Sequence, residues 1–132
     1  MNQQERLVVI HADDQRLFRE KVRKVIKSLN LVFQGVENGE EVLDILEILS
    51  ENVALIILDW EMPVLNGYNC LMKIKSCSKY DEIPVIFYSG ISSNDLKKMA
   101  VDKGAEKFIS KSRESGYLKK TIAEMLKKKN DY

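Results

Sequence analysis

Three acids, one hydroxyl and one amine carry the chemistry that this sequence offers. Asp13 and Asp14 stand together directly after the apolar run "LVVIHA" at 7–12. Asp59 ends the most hydrophobic run, "ALIILD" at 54–59, and Trp60, the only tryptophan, follows it. Ser89 closes "PVIFYS" at 84–89, and Lys111 follows "KFIS" at 107–110. Each apolar run reads as a strand, so each polar residue falls at a strand's carboxyl end, where open parallel sheets bind ligands. Carboxylates gathered there repel one another unless a positive charge joins them. Hard oxygen donors of this kind suit Mg²⁺. Asp13 and Asp14 alone would equally serve as a helix N-cap pair, but Asp59 arriving from another strand favours a metal site. The full set can bind a metal, offer a carboxylate nucleophile and hold a phosphoryl group from two further sides.

The elements that must position these residues are legible as an alternation. "LVFQGV" at 31–36 completes the strands, and the continuous apolar runs predict strands covered on both faces. Between them the spacing predicts amphipathic helices over 15–29, 40–50, 67–78, 93–103 and 114–129. Phe18, Val22, Val25, Ile26 and Leu29 mark the apolar face of the first. Asn66 is a candidate N-cap and Gly104 a natural helix stop. This pattern predicts an α/β fold: a doubly wound, five-stranded parallel sheet with five helices.

The 132 residues suit one domain, large enough to bury roughly 68% of the unfolded chain's surface. With 45% hydrophobic and 31% charged residues and a net charge of +1, bulk charge names no partner. No apolar run approaches the roughly 18 residues of a membrane helix, and the first residues lack a signal-peptide layout. Cys70 and Cys77 on one helix would lie about 10 Å apart, beyond bridging range, so a reducing, cytoplasmic setting is expected. Residues 103–129 hold nine Lys or Arg against three Glu. That stretch reads as a solvated helix face or as a docking surface for an acidic partner. It lacks the regular aromatic interleaving that would point to nucleic acid.

The motifs "ADD" at 12–14, "ILDWEMPVLNG" at 57–67, "VIFYSG" at 85–90 and "GAEKFISK" at 104–111 resemble the receiver domain of bacterial two-component response regulators. The likeness covers a core of about 6–128 within a single domain of 1–132, similar in extent to the stand-alone chemotaxis regulators. It implies the flavodoxin-like receiver topology and a signalling protein rather than an enzyme. By the resemblance, Asp59 is the phosphoacceptor. Asp13, Asp14, Asp59 and the backbone carbonyl of Glu61 hold Mg²⁺, and Lys111 and Ser89 contact the phosphoryl group. Ser89 and Phe108 form the switch, which changes the 91–128 face for a partner. A sensor histidine kinase or histidine phosphotransfer protein would supply the phosphoryl group, and acetyl phosphate could replace it. The chain would be a monomer or a phosphorylation-dependent dimer without membrane attachment; if 132 residues are its natural full length it has no room for an output domain and acts as a stand-alone shuttle or modulator, and otherwise it is an excised domain.

Two positions depart from the family pattern. Lys111 is followed by Ser112 where the family usually has a cis-proline, which predicts a trans bond, since a non-proline cis bond costs about 2.5–4 kcal/mol. Glu61 is an acid at a variable position, able to swing towards the metal or repel the phosphoryl group. Trp60, Met62 and Pro63 read as packing and turn residues, Gly67 as a close approach of loop to helix, and His11 as a strand residue rather than a ligand. A haloacid-dehalogenase-type phosphohydrolase would want an Asp where Glu61 stands. A flavodoxin-like FMN carrier would need a phosphate loop after the first strand. A degenerate receiver, acting as a phosphorylation-independent binding module, is the alternative that the complete acid, hydroxyl and lysine set argues against.

Overall fold

The computed structural model of the chain describes residues 7–130, with side chains to residue 127. The expected core limit at residue 6, the ends of the 1–132 span and the side chains of Lys128 and Lys129 lie outside the described residues. Along the chain alternate β1 (Val8–Ala12), α1 (Arg16–Ser28), β2 (Val32–Val36), α2 (Gly39–Leu49), β3 (Val53–Leu58), α3 (Gly67–Lys75), β4 (Val85–Ser89), α4 (Asn94–Asp102), β5 (Lys107–Ser110) and α5 (Ser115–Asn130). The strands form one five-stranded sheet in the order β2-β1-β3-β4-β5, and every neighbouring pair is parallel. This is the doubly wound, flavodoxin-like α/β arrangement that the alternation predicts.

Strand alternation divides the core into two layers. Ile10, Ala12, Ile56, Leu58, Val85 and Phe87 pack with Val42 and Leu46 of α2, Cys70, Leu71 and Ile74 of α3, and Ala100 of α4. Val9, Leu55, Ile57, Ile86, Tyr88 and Ile109 pack with α1 and α5, through Val22, Val25 and Ile26, and Leu118, Ile122 and Leu126. Successive strand residues face opposite layers, which is why β3 and β4 are buried throughout and read as unbroken apolar runs. Edge strand β2 is more exposed.

The helix ends follow local chemistry. Asn38, Asn66 and Ser93 cap α2, α3 and α4 by accepting from the amides of Glu41, Asn69 and Leu96. Gly104, at φ 115°, ends α4 with paired bonds from its own amide to Val101 and from the Ala105 amide to Ala100. Asn30, at φ 61°, ends α1 in the same way. The third helix stops at Lys75 rather than 78, because the Ser76 hydroxyl takes the Lys73 carbonyl and Cys77 turns extended. Both cysteines are free thiols. No helix among the described residues is long and apolar enough to cross a membrane.

Between β3 and α3 the chain makes a narrow loop. Leu65 donates to Pro63 O at 2.7 Å across Val64, whose φ of 69° marks a γ-turn of the strained kind. The Gly67 amide donates to Trp60 O at 2.8 Å. A Cβ at Gly67 would collide with the Asp59 carbonyl, so loop and helix meet only at glycine. Gly67→Ala should therefore lose about 2 kcal/mol or more of stability in urea unfolding; an unchanged midpoint would mean that the loop yields without cost.

Candidate functional site

The strand ends deliver their polar residues to one place. Ala12 of β1 pairs with Leu58 of β3, and the Asp59 amide extends that ladder by donating to Ala12 O at 3.0 Å. Asp13 and Asp59 thus leave adjacent strands at the point where the strand order reverses, the ligand crevice of doubly wound sheets. Asp13 is fully buried, Asp59 is 6% exposed and Asp14 is exposed. One carboxylate oxygen from each of Asp13, Asp14 and Asp59 lies within 4.8 Å of the others. All-oxygen donors at that spacing, with one acid open to solvent, fit a hydrated Mg²⁺.

Lys111 closes the cluster. Its ammonium lies 2.7 Å from Asp13 Oδ2, as an ion pair, and donates to Asp59 Oδ2 at 3.1 Å. The remaining oxygens are held by main chain: Asp13 Oδ1 accepts from the Gln15 amide at 2.9 Å and Asp59 Oδ1 from the Trp60 amide at 2.8 Å. Burial raises the pKa of Asp13 above the ordinary carboxylate value. The Lys111 ammonium and the Gln15 amide oppose that rise, and the charge of Asp59 adds to it. No peptide bond among the described residues is cis, so Lys111–Ser112 is trans as predicted, and the lysine still reaches both acids.

Ser89 and the aromatic residues complete the surroundings. Ser89 is buried, its Oγ accepts from the Ile91 amide at 3.3 Å, and its carbonyl accepts from the Lys111 amide at 2.9 Å. A cleft of about 440 Å³ opens over the acids, lined by Asp14, Phe18, Asp59, Glu61, Ser89 and Lys111. The cleft has room for a phosphoryl group with water around it. Behind it, Trp60 stacks on Tyr68 at 5.4 Å and meets Phe87 at 5.3 Å. Phe108 is half-buried and stacks on Phe87 at 5.5 Å, with Lys97 Nζ 5.6 Å from its ring centre.

The residues singled out in the sequence therefore converge, and several that were not join them. Asp13 and Asp14 do not cap α1, since its N-cap residue is Gln15. Arg19 of α1 donates to Asp13 O at 2.7 Å, fixing the turn after β1 from below. Phe18, legible in sequence only as part of a helix face, places its ring centre 4.0 Å from Lys111 Nζ. His11 is a buried strand residue, as read, with its Nε2 4.0 Å from Asp13 Oδ2. Neither of its ring nitrogens has a hydrogen-bond partner among the described residues, and the same holds for the Tyr88 hydroxyl.

Against known proteins, residues 9–123 match the response regulator receiver domain family. The chain is 31% identical over 103 residues to the two-component response regulator ORR5 of Oryza sativa subsp. japonica, across 78% of this chain and 76% of that one. A LuxR-family DNA-binding response regulator from Staphylococcus aureus superposes with a TM-score of 0.77 at 27% identity, covering 91% and 98% of the two chains. A chain of the CheX–CheY–BeF3–Mg²⁺ complex from Borrelia burgdorferi shares the fold, with a TM-score of 0.80 at 22% identity and coverage of 96% and 90%.

The buried histidine gives the site a signature in pH. Burial, then the charges of Lys111 and Arg19, lower the pKa of His11 from 6.5 to about 3. Between those values the unfolded chain binds a proton that the folded chain excludes, so stability falls as pH drops through that window. The raised pKa of Asp13 acts in the opposite sense, which makes a paired comparison necessary. His11→Phe should flatten the acid-side loss by up to about 1.4 kcal/mol per pH unit in urea unfolding between about pH 4.5 and about 7. Parallel slopes for the two proteins would show that His11 titrates normally.

Proposed function

The chain belongs to the response regulator receiver domain family of two-component signal transduction, and on that premise we propose that it accepts a phosphoryl group on Asp59 and signals by remodelling its 91–128 face. The observation that carries this reading is the Lys111 ammonium set between Asp13 Oδ2 and Asp59 Oδ2, at 2.7 and 3.1 Å, under an open cleft. That arrangement holds a buried carboxylate oriented and next to a cation. These are the requirements for attack on a phosphate dianion.

Asp13, Asp14, Asp59 and the backbone carbonyl of Glu61 would hold Mg²⁺, which when bound supplies charge neutralisation at the phosphoryl oxygens. The fit of the donor set supports this, as does the Mg²⁺ named for the CheX–CheY complex. An Asp59 oxygen bonds to phosphorus as the donor's phosphorus–nitrogen bond breaks and its electron pair leaves with the imidazole. The Trp60 amide fixes the carboxylate plane, so the attacking oxygen needs no reorientation. Lys111 follows the phosphoryl oxygens with its charge. The Ser89 hydroxyl, which now only accepts from Ile91, has its own hydrogen to donate to the new group. That bond draws Ser89 inward with Gly90. Phe108, beside Phe87 on the neighbouring strand, follows with the face formed by α4, β5 and α5.

The donor in this reading is a sensor histidine kinase or histidine phosphotransfer protein, and the target is a protein that reads the switched face. Exposed Lys119, Lys120 and Lys127 on α5 suit an acidic one. In this reading the receiver domain acts in the cytoplasm, either monomeric or dimerising when phosphorylated. Acetyl phosphate with Mg²⁺ should add one phosphoryl group by intact-mass spectrometry, and Asp59→Ala should add none. Mg²⁺ alone should change Trp60 fluorescence. Lys111→Ala should slow phosphoryl uptake about a hundredfold. A wild-type protein that takes up no phosphoryl group from any donor would instead be a phosphorylation-independent binding module.

A further inference from the structure

We infer that Phe18 is a positioning residue for Lys111: the face of its ring holds the ammonium in line with Asp13 and Asp59. The inference rests on the phosphoacceptor reading and adds a residue to it. A lysine ends in a compact charge on a flexible four-carbon stem, so something must fix where that charge sits. The backbone of Lys111 is well held. Its amide donates to Ser89 O, the Arg113 amide donates to Ser110 O at 3.0 Å, and the Ser112 amide donates to Ser110 Oγ at 3.1 Å. None of these bonds touches the ammonium.

Three groups do: Asp13 Oδ2, Asp59 Oδ2 and the ring of Phe18, whose centre is 4.0 Å away. The two carboxylates are also the groups that a divalent ion and a phosphoryl group would engage. Among the described residues, Phe18 is the contact of the ammonium that competes with neither. The lysine side chain is only 10% exposed, and a cation over a ring gains strength as water is excluded.

The ring is itself fixed. The Phe18 amide donates to Gln15 O at 3.1 Å in the first turn of α1, and the ring packs nearly at right angles to buried Tyr88, with centroids 6.1 Å apart. Lys21 lies 5.9 Å from the same ring centre, too far to displace the closer ammonium. Lys111 continues the alternation of Ile109, which faces α1 and α5, so its stem leaves β5 towards the layer that supplies Phe18.

The test compares phosphoryl uptake from acetyl phosphate in Phe18→Leu, Phe18→Met and Phe18→Tyr, with circular dichroism as the folding check. Leucine and methionine keep an apolar side chain without a π face, and either suffices if the other fails to fold. Uptake should slow about tenfold in both, while the Mg²⁺ affinity read from Trp60 fluorescence stays within about twofold. Phe18→Tyr should restore the wild-type rate. In a Lys111→Ala background, Phe18→Leu should have no further effect. Wild-type uptake in Phe18→Leu, an equal slowing without Lys111, or failure of tyrosine to rescue would each overturn the inference and leave the phosphoacceptor reading standing. A wild-type protein that takes up no phosphoryl group would overturn both.

Discussion

Asp13 and Asp59 sit side by side with little water around them, and two such carboxylates repel strongly at short range. The Lys111 ammonium between them relieves that repulsion, and the rest of the molecule is arranged to bring those three groups together. The acids come from neighbouring strands and the amine from the far edge of the sheet, with β4 between. No local stretch of sequence could build the pair. It forms only when β1, β3, β4 and β5 are in register, so the integrity of the sheet and of the site are one requirement.

The layered core explains how the charge survives burial. Beneath Asp13 and Asp59, the same strands turn Val9, His11, Leu55 and Ile57 towards α1 and α5, and this layer is dry enough to keep His11 neutral. A dry floor raises the cost of any uncompensated charge, which strengthens the pull between acids and lysine. The opposite layer is aromatic, running from Tyr68 through Trp60 and Phe87 to Phe108. Its buried part, Trp60 and Phe87, gives the loop after Asp59 a stiff backing, while Phe108 at the end of the row is only half-buried.

Much of this was readable in the chain, because strand and helix periods are properties of local sequence. The residues placed at strand ends, Asp13, Asp59, Ser89 and Lys111, are where the apolar runs stop. What the sequence could not show depends on the third dimension. Phe18 has the spacing of a core residue and packs against that core, but it lies in the first turn of α1, where only the crossing of helix and strand aims it at Lys111. Arg19 looks like any charged helix residue until its guanidinium is seen on the Asp13 carbonyl. The early end of α3 escaped the periodicity because one hydroxyl, on Ser76, competes locally for a helix carbonyl.

Gly67 gives the cleft a lopsided mechanics. With no side chain there, the start of α3 rests directly on the Asp59 carbonyl, and the wall that carries Asp59 is clamped to a helix. Across the gap Gly90 stands in open space, with nothing within 4 Å of where its Cβ would be. One jaw of this vice is clamped at its glycine and the other carries no such contact. In the phosphoacceptor reading proposed above, a charge placed between them would act on the unclamped jaw, on the β4 side towards α4 and away from α3.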